Sequence, residues 1–147
     1  MVKGTDFWEY LCEDLNYRLF AGVPCKGLKP LYDKMDSNIM HYIPAAREDV
    51  ALGVVSGASI GGHKGAVLLS INSIYLLYDW LFSFNIQYEV PLLIIAYDDN
   101  NKRSKIKSEY KIPQKILTDN FKKDLTYITN KAEKSTAMLI ITEGVLK

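Results

Sequence analysis

Soft metal ligands are scarce in this sequence: two cysteines, Cys12 and Cys25, without CxxC spacing, and two histidines, His41 and His63. They furnish no zinc set, and a reduced, metal-free cytoplasmic protein is the expectation. An excess of one charge sign is also lacking, because 18 Lys+Arg against 17 Asp+Glu leave a formal net charge of +1. Neither nucleic acid nor an anionic membrane is then an expected partner, and an anionic ligand has to be caught locally. Long hydrophobic runs are missing too. The longest, such as Val90-Pro-Leu-Leu-Ile-Ile-Ala-Tyr97, are too short for a transmembrane helix and read as buried strands. The opening Met1-Val-Lys-Gly-Thr-Asp-Phe-Trp-Glu9 sets acidic residues where a secretion signal needs an apolar core. Absent as well are GxGxxG behind the first strand, GxxxxGK[ST], a GxSxG elbow and a Cys/His pair at a recognisable spacing. The usual dinucleotide, P-loop and nucleophile frameworks are thereby excluded.

What is present suits one folded domain over residues 1–147, with 48% hydrophobic and 24% charged residues. Helical spacing opens the chain with Phe7, Trp8, Leu11, Cys12 and Leu15. This predicts a helix over about 5–16 with Thr5 as cap. A strand at Tyr17–Ala21 ends in Gly22-Val-Pro24, and a second helix carries Leu28, Leu31, Tyr32 and Met35. The pattern repeats with strand Met40–Ile43, a turn at Pro44, and a helix from Ala45 to about Ile60 with Val50, Val54 and Ala58 on one stripe. Gly53 and Gly57 stand four apart in that helix, each costing about 1 kcal/mol relative to Ala. Close approach of another backbone would justify them; a weak helix with tolerated glycines is the plainer alternative.

Further strands are predicted at Ala66–Ile71, Val90–Ala96 and Ala137–Thr142, with an apolar helix Ile74–Phe82 opened by Asn72-Ser73. Residues 98–111 turn polar and read as a mobile loop. Leu117–Leu125 reads as helix, Thr126–Ile128 as a short strand or turn, and Lys131–Lys134 as a brief helix. Strands that are apolar on both faces and alternate with helices predict a three-layer, doubly wound α/β domain with a mostly parallel sheet. Ligands bind such sheets at the carboxyl ends of the strands, which singles out Gly22–Cys25, Pro44–Glu48, Asn72-Ser73 and Tyr97–Asp99.

These segments fall in an ordered series: Gly22-Val-Pro-Cys25, Leu28-Lys29, His41-Tyr-Ile-Pro-Ala-Ala-Arg-Glu48, Ser56-Gly-Ala58, Gly61-Gly-His-Lys-Gly65 and Asn72-Ser73. The series resembles the aminopyrimidine-binding (PYR) domain of the thiamine-diphosphate-dependent sulfopyruvate and phosphonopyruvate decarboxylases, over about residues 5–97. The resemblance implies that Glu48 is the catalytic residue. A carboxyl shielded from water there shares a proton with the aminopyrimidine ring and favours its imino tautomer. A glutamate in a first helical turn is also favoured by the macrodipole alone, by about 0.3–1 kcal/mol. Asn72 and Ser73 are implied at the cofactor's edge, or serve only as a helix cap. Cys25, Lys29 and Arg47 are implied on the substrate side, Arg47 through paired hydrogen bonds to an oxyanion. A structural thiol, a helix-surface lysine and a solvated arginine are the corresponding plain readings.

Two departures accompany the likeness: Ile74-Tyr75-Leu76 stands where the family continues with glycines, and Asp98-Asp99 replaces its Arg-Gly. The Gly-Asp-Gly motif ending in Asn-Asn, which holds the diphosphate and its Mg2+ in thiamine-diphosphate enzymes, does not occur. The resemblance therefore implies a partner β subunit carrying that motif. The cofactor would lie between the two chains, in an α2β2 heterotetramer acting on a small 2-oxo acid. A carboligase subunit of the same cofactor class and a non-catalytic regulatory subunit of the same fold are the alternatives.

Overall fold

The computed structural model describes residues 1–99 and 111–147. Six parallel strands form one sheet in the order β2-β1-β3-β4-β6-β5. They are β1 (Leu19–Gly22), β2 (His41–Pro44), β3 (Gly65–Ser70), β4 (Leu92–Asp98), β5 (Gln114–Ile116) and β6 (Thr136–Thr142). The helices are α1 (Gly4–Glu9), α2 (Lys29–Tyr32), α3 (Glu48–Ile60), α4 (Tyr78–Trp80) and α5 (Phe121–Ala132). The chain winds outward from β1 to β2 and then crosses back to β3 on the other side of β1. The switch point of the sheet therefore lies between β1 and β3.

Alternation along the central strands divides the core in two. Ala66 and Leu68 of β3 with Leu93 and Ile95 of β4 join Phe7, Trp8, Phe20, Leu125 and Ile128 on one face. Val67, Leu69, Ile94 and Ala96 join Ala51, Leu52, Val55, Leu77 and Leu81 on the other. Helices α1 and α5 thus cover one face and α3 with the 71–86 segment the other, giving the three layers predicted. Trp8 anchors the first face edge-on to Phe20, 4.8 Å between centroids, and donates its indole N–H to the Leu31 carbonyl at 2.7 Å. Gly22 is required by the sheet itself, because a Cβ there would stand 2.0 Å from the Leu68 carbonyl oxygen of β3.

Several boundaries differ from expectation. The first helix starts at Gly4 with Lys3, not Thr5, at its cap, because Gly4 sits against the Pro30 carbonyl, and it continues as a π-helical turn, Tyr10–Asp14. The second helix is a 3-10 turn, Lys26–Leu28, running into the short α2. In α3 the buried residues are Ala51, Leu52, Val55 and Ser56; of the Val50 stripe, Val50 is 54% exposed while Val54 packs partly buried against the core. Thr126–Ile128 is not a strand: it lies inside α5, where Leu125, Ile128, Thr129 and Ala132 keep helical spacing and the Thr126 and Thr129 hydroxyls bond to carbonyls one turn back. Strand β5 was not foreseen; its three residues, next to Pro113 and bearing Lys115, form a short edge strand. Of the polar stretch 98–111, residues 100–110 lie outside the described residues.

Candidate functional site

Pro44 ends β2, and the chain turns at the carboxyl edge of the sheet with the Ala45 amide bonded to the Gly22 carbonyl at 2.8 Å. Arg47 is extended, φ −138° and ψ 144°, and α3 begins immediately after it at Glu48. Glu48 is thus the first residue of a 13-residue helix, at the end where amide N–H groups have no intrahelical partner. Its side chain is half-buried. The neighbouring charges pair with each other: the Arg47 guanidinium, 75% exposed, lies 2.8 Å from Asp49. Among the described residues, no side chain pairs with the Glu48 carboxylate.

A second group of expected residues gathers at the switch point. Cys25 follows β1, Ser70 ends β3 and Tyr97 lies near the end of β4; together with Asp99, Thr142 and Glu143 they line a pocket of about 520 Å3. The Tyr97 ring occupies the place a side chain at residue 27 would take, since a Cβ on Gly27 would stand 2.0 Å from it. Asn72 reaches the same rim through Asp99, its Nδ2 lying 3.5 Å from the carboxylate. Burial pushes the Cys25 thiol above its ordinary value, against hydrogen bonds from Leu28, Tyr32 and Gly27 that pull the other way. Lys29 does not join this group. It is an exposed side chain on α2 whose ammonium pairs with Asp33 one turn on.

Neither Asn72 nor Ser73 caps a helix. The cap is Ser70, whose hydroxyl accepts from the Asn72 amide at 3.3 Å, and both residues sit within a 3-10 segment, Ile71–Leu77. That segment runs through α4 into a π-helical stretch, Leu81–Ile86. Ile74 is buried, while Tyr75 and Leu76 are exposed. The bulky residues that replace the expected glycines therefore leave the core undisturbed.

The outward face of α3 was only half foreseen. A Cβ on Gly53 or Gly57 would meet nothing within 4 Å, so no contact within the described chain accounts for either glycine. They floor a groove of about 530 Å3 between α3 and the 80–85 segment, walled by Val50, Ile60, Trp80 and Phe84. Trp80 and Phe84, exposed aromatics four apart, were the sequence signal for its second wall. Among the described residues, no group of three His, Cys, Asp or Glu side chains is placed to hold a metal ion, and no helix is long and apolar enough to cross a membrane.

No family model matches the chain. The sulfopyruvate decarboxylase subunit alpha of Methanocaldococcus jannaschii is 32% identical over 106 residues, which are 66% of this chain and 58% of that protein. The corresponding subunit of Methanococcus maripaludis is 32% identical over 96 residues, 64% of this chain and 57% of its own length. The chain thus spans little more than half the length of these curated relatives. Among solved structures, a Mycobacterium smegmatis protein described as a thiamin diphosphate-dependent enzyme superposes with a TM-score of 0.73 at 15% identity, covering 96% of this chain and 30% of that one. The fold is that of a thiamine-diphosphate enzyme domain. More narrowly, the chain is a PYR-type domain, related in sequence to sulfopyruvate decarboxylase alpha subunits.

Proposed function

We propose that this chain is the α subunit of a two-subunit, thiamine-diphosphate-dependent 2-oxo acid decarboxylase, in which Glu48 faces the aminopyrimidine of the cofactor. The observation that carries the reading is the Glu48 carboxylate: half-buried, unpaired among the described residues, and held at the start of α3 beside the carboxyl edge of the sheet. A carboxyl in that state is free to hold a proton against a ring nitrogen, and its exchange with the ring sharpens as a covering chain removes water. Thiamine diphosphate supplies the nucleophilic carbon and the electron sink when bound.

The residues present fit only the aminopyrimidine half of that cofactor. The diphosphate and Mg2+ need hard oxygen ligands, and the Gly-Asp-Gly…Asn-Asn sequence that provides them is absent here. We assign them to a β subunit in an α2β2 assembly, seated in part on the open glycine face of α3. In this reading Cys25 lines the substrate side of the switch-point pocket, while Asn72, beside the pocket residue Asp99, and Ser73 on the same 3-10 segment stand at the cofactor's edge. Lys29 and Arg47 reach an anionic substrate only by exchanging their present partners, Asp33 and Asp49.

The test is Glu48→Gln in the complex with the subunit carrying the Gly-Asp-Gly sequence, assayed for carbon dioxide release across a panel of 2-oxo acids. Turnover is expected to fall by about 10²–10⁴-fold with assembly unchanged on a sizing column. A fully active substituted complex would remove the role of Glu48, and activity from this chain alone would contradict the shared site.

A further inference from the structure

The switch-point pocket is electrically lopsided. Among the described residues its lining holds one cation, Lys26, which follows β1 on the side nearer Glu48 and pairs with no carboxylate. Its two carboxylates stand at the other end. Asp99 and Glu143 each come one residue after the register pair of Asp98 with Thr142, so they leave the neighbouring strands β4 and β6 side by side. Strand β4 is two steps from β1 across the sheet, roughly 10 Å at the usual strand spacing. Between the two ends lie Ser70 of β3 and the Tyr97 ring, laid against Gly27. Burial raises the pKa of the Tyr97 hydroxyl, and Glu143 and Asp99 raise it further, so this group stays a protonated donor in a negative field.

A 2-oxo acid reacting beside Glu48 can set its own carboxylate on Lys26, and its tail then runs toward Asp99 and Glu143. A sulfonate, phosphonate or carboxylate at the end of that tail would meet like charge, the device by which sites reject a wrong ligand. Lys29 and Arg47 do not reverse the balance while Asp33 and Asp49 hold them. We propose that the pocket selects 2-oxo acids whose far end is an uncharged or cationic hydrogen-bond donor, such as an amide, a hydroxyl or a guanidinium, received by Asp99 and Glu143, and rejects those that end in a second anion. A carboxylate offers about four acceptor sites, so the long Asn72 bond to Asp99 leaves room for a substrate donor. The inference rests on the two-subunit decarboxylase reading above and adds the class of acid it takes.

The experiment uses the complete complex with the subunit bearing the Gly-Asp-Gly…Asn-Asn sequence, supplied with thiamine diphosphate and Mg2+. Carbon dioxide release is compared, as kcat/KM, for 2-oxoadipate and its terminal amide, which differ only at the far end. A guanidino 2-oxo acid of similar length and sulfopyruvate serve as cationic and short anionic probes. The amide or the guanidino acid is expected to exceed 2-oxoadipate by about tenfold or more, and the better of the two tells whether the donor is neutral or charged. Asp99→Asn with Glu143→Gln is expected to narrow that gap by about tenfold, chiefly through KM for the dianion. Where the double variant does not assemble, Glu143→Gln alone, at an exposed position, makes the same comparison. Equal or better turnover of 2-oxoadipate or sulfopyruvate would overturn the inference while leaving the decarboxylase reading intact. A gap that survives the substitutions would overturn the assignment to these two carboxylates. A wild-type complex silent toward every acid would overturn both readings.

Discussion

At the scale of single residues, the two thiols illustrate how environment decides reactivity. Cys12 has no accessible surface, and burial pushes its thiol up to about 12, with Arg18 opposing and Glu13 adding slightly. Cys25 is half-buried and shifted in the same direction. Because the thiolate is the reacting species, both resist alkylation at neutral pH. Iodoacetamide at pH 8 is expected to modify Cys25 slowly and Cys12 only after denaturation, as read by mass spectrometry of the intact and unfolded chain; prompt labelling of Cys12 in the native protein would refute this. The same shift argues that Cys25 borders the switch-point pocket as a small apolar surface and not as a nucleophile. Glu48 was singled out through the resemblance alone, since a glutamate in a first helical turn is by itself accounted for by the macrodipole. Glu143 was missed, since Ile141-Thr142-Glu143-Gly144 looks like any strand end until the fold sets β6 beside β4.

Among the elements, the joint between β5 and α5 shows a carboxylate used for cohesion. Asp124, in the first turn of α5, accepts from the Thr118 amide at 2.8 Å and the Thr118 hydroxyl at 2.5 Å, and lies 3.3 Å from the Lys115 ammonium of β5. Burial alone would raise its pKa; the Thr118 bonds and Lys115 together outweigh it and hold the carboxyl below the usual aspartate value. A depressed folded pKa contributes stability that is complete above the unfolded value, about 3.9, and is lost as pH falls through the lower folded one. Asp124→Asn is therefore expected to lower unfolding free energy at pH 7 by about 1–3 kcal/mol, with the gap from wild type narrowing under strong acid. Urea titrations at several pH values measure both, and a gap independent of pH would show that the charge contributes nothing. This joint was also the least legible part of the sequence. β5 is too short for period-two alternation to register, and Thr126-Tyr127-Ile128, β-branched and aromatic, imitates a strand although its spacing with Leu125 and Ala132 is helical. The central strands were read correctly because burial on both faces leaves a continuous apolar run that only a covered parallel sheet accommodates. Helix ends were misplaced where tertiary contacts, such as Gly4 against Pro30, decide the start.

For the molecule as a whole, the proposed two-subunit assembly would set the stability of the isolated chain against pairing at the open glycine face. Gly53→Ala and Gly57→Ala add side chains into empty space, so each is expected to stabilise the lone chain by about 1 kcal/mol through helix propensity. If the proposed β subunit seats on this face, both together should weaken pairing with it, since the added methyl groups hold a neighbouring backbone away. Thermal melts of the chain and co-purification of the pair check the two halves separately. A pair that forms as well with both alanines would mean that the glycines face only water.

Helix α3 carries the Glu48 carboxylate at one tip and the bare glycine strip along its flank, within a single rigid rod of 13 residues. A tilt of that rod when a neighbour seats against its side swings the acidic tip by the same rotation. In the proposed two-subunit complex, quaternary fit and the aim of the carboxyl group would thus be one mechanical coordinate, with no separate relay between them.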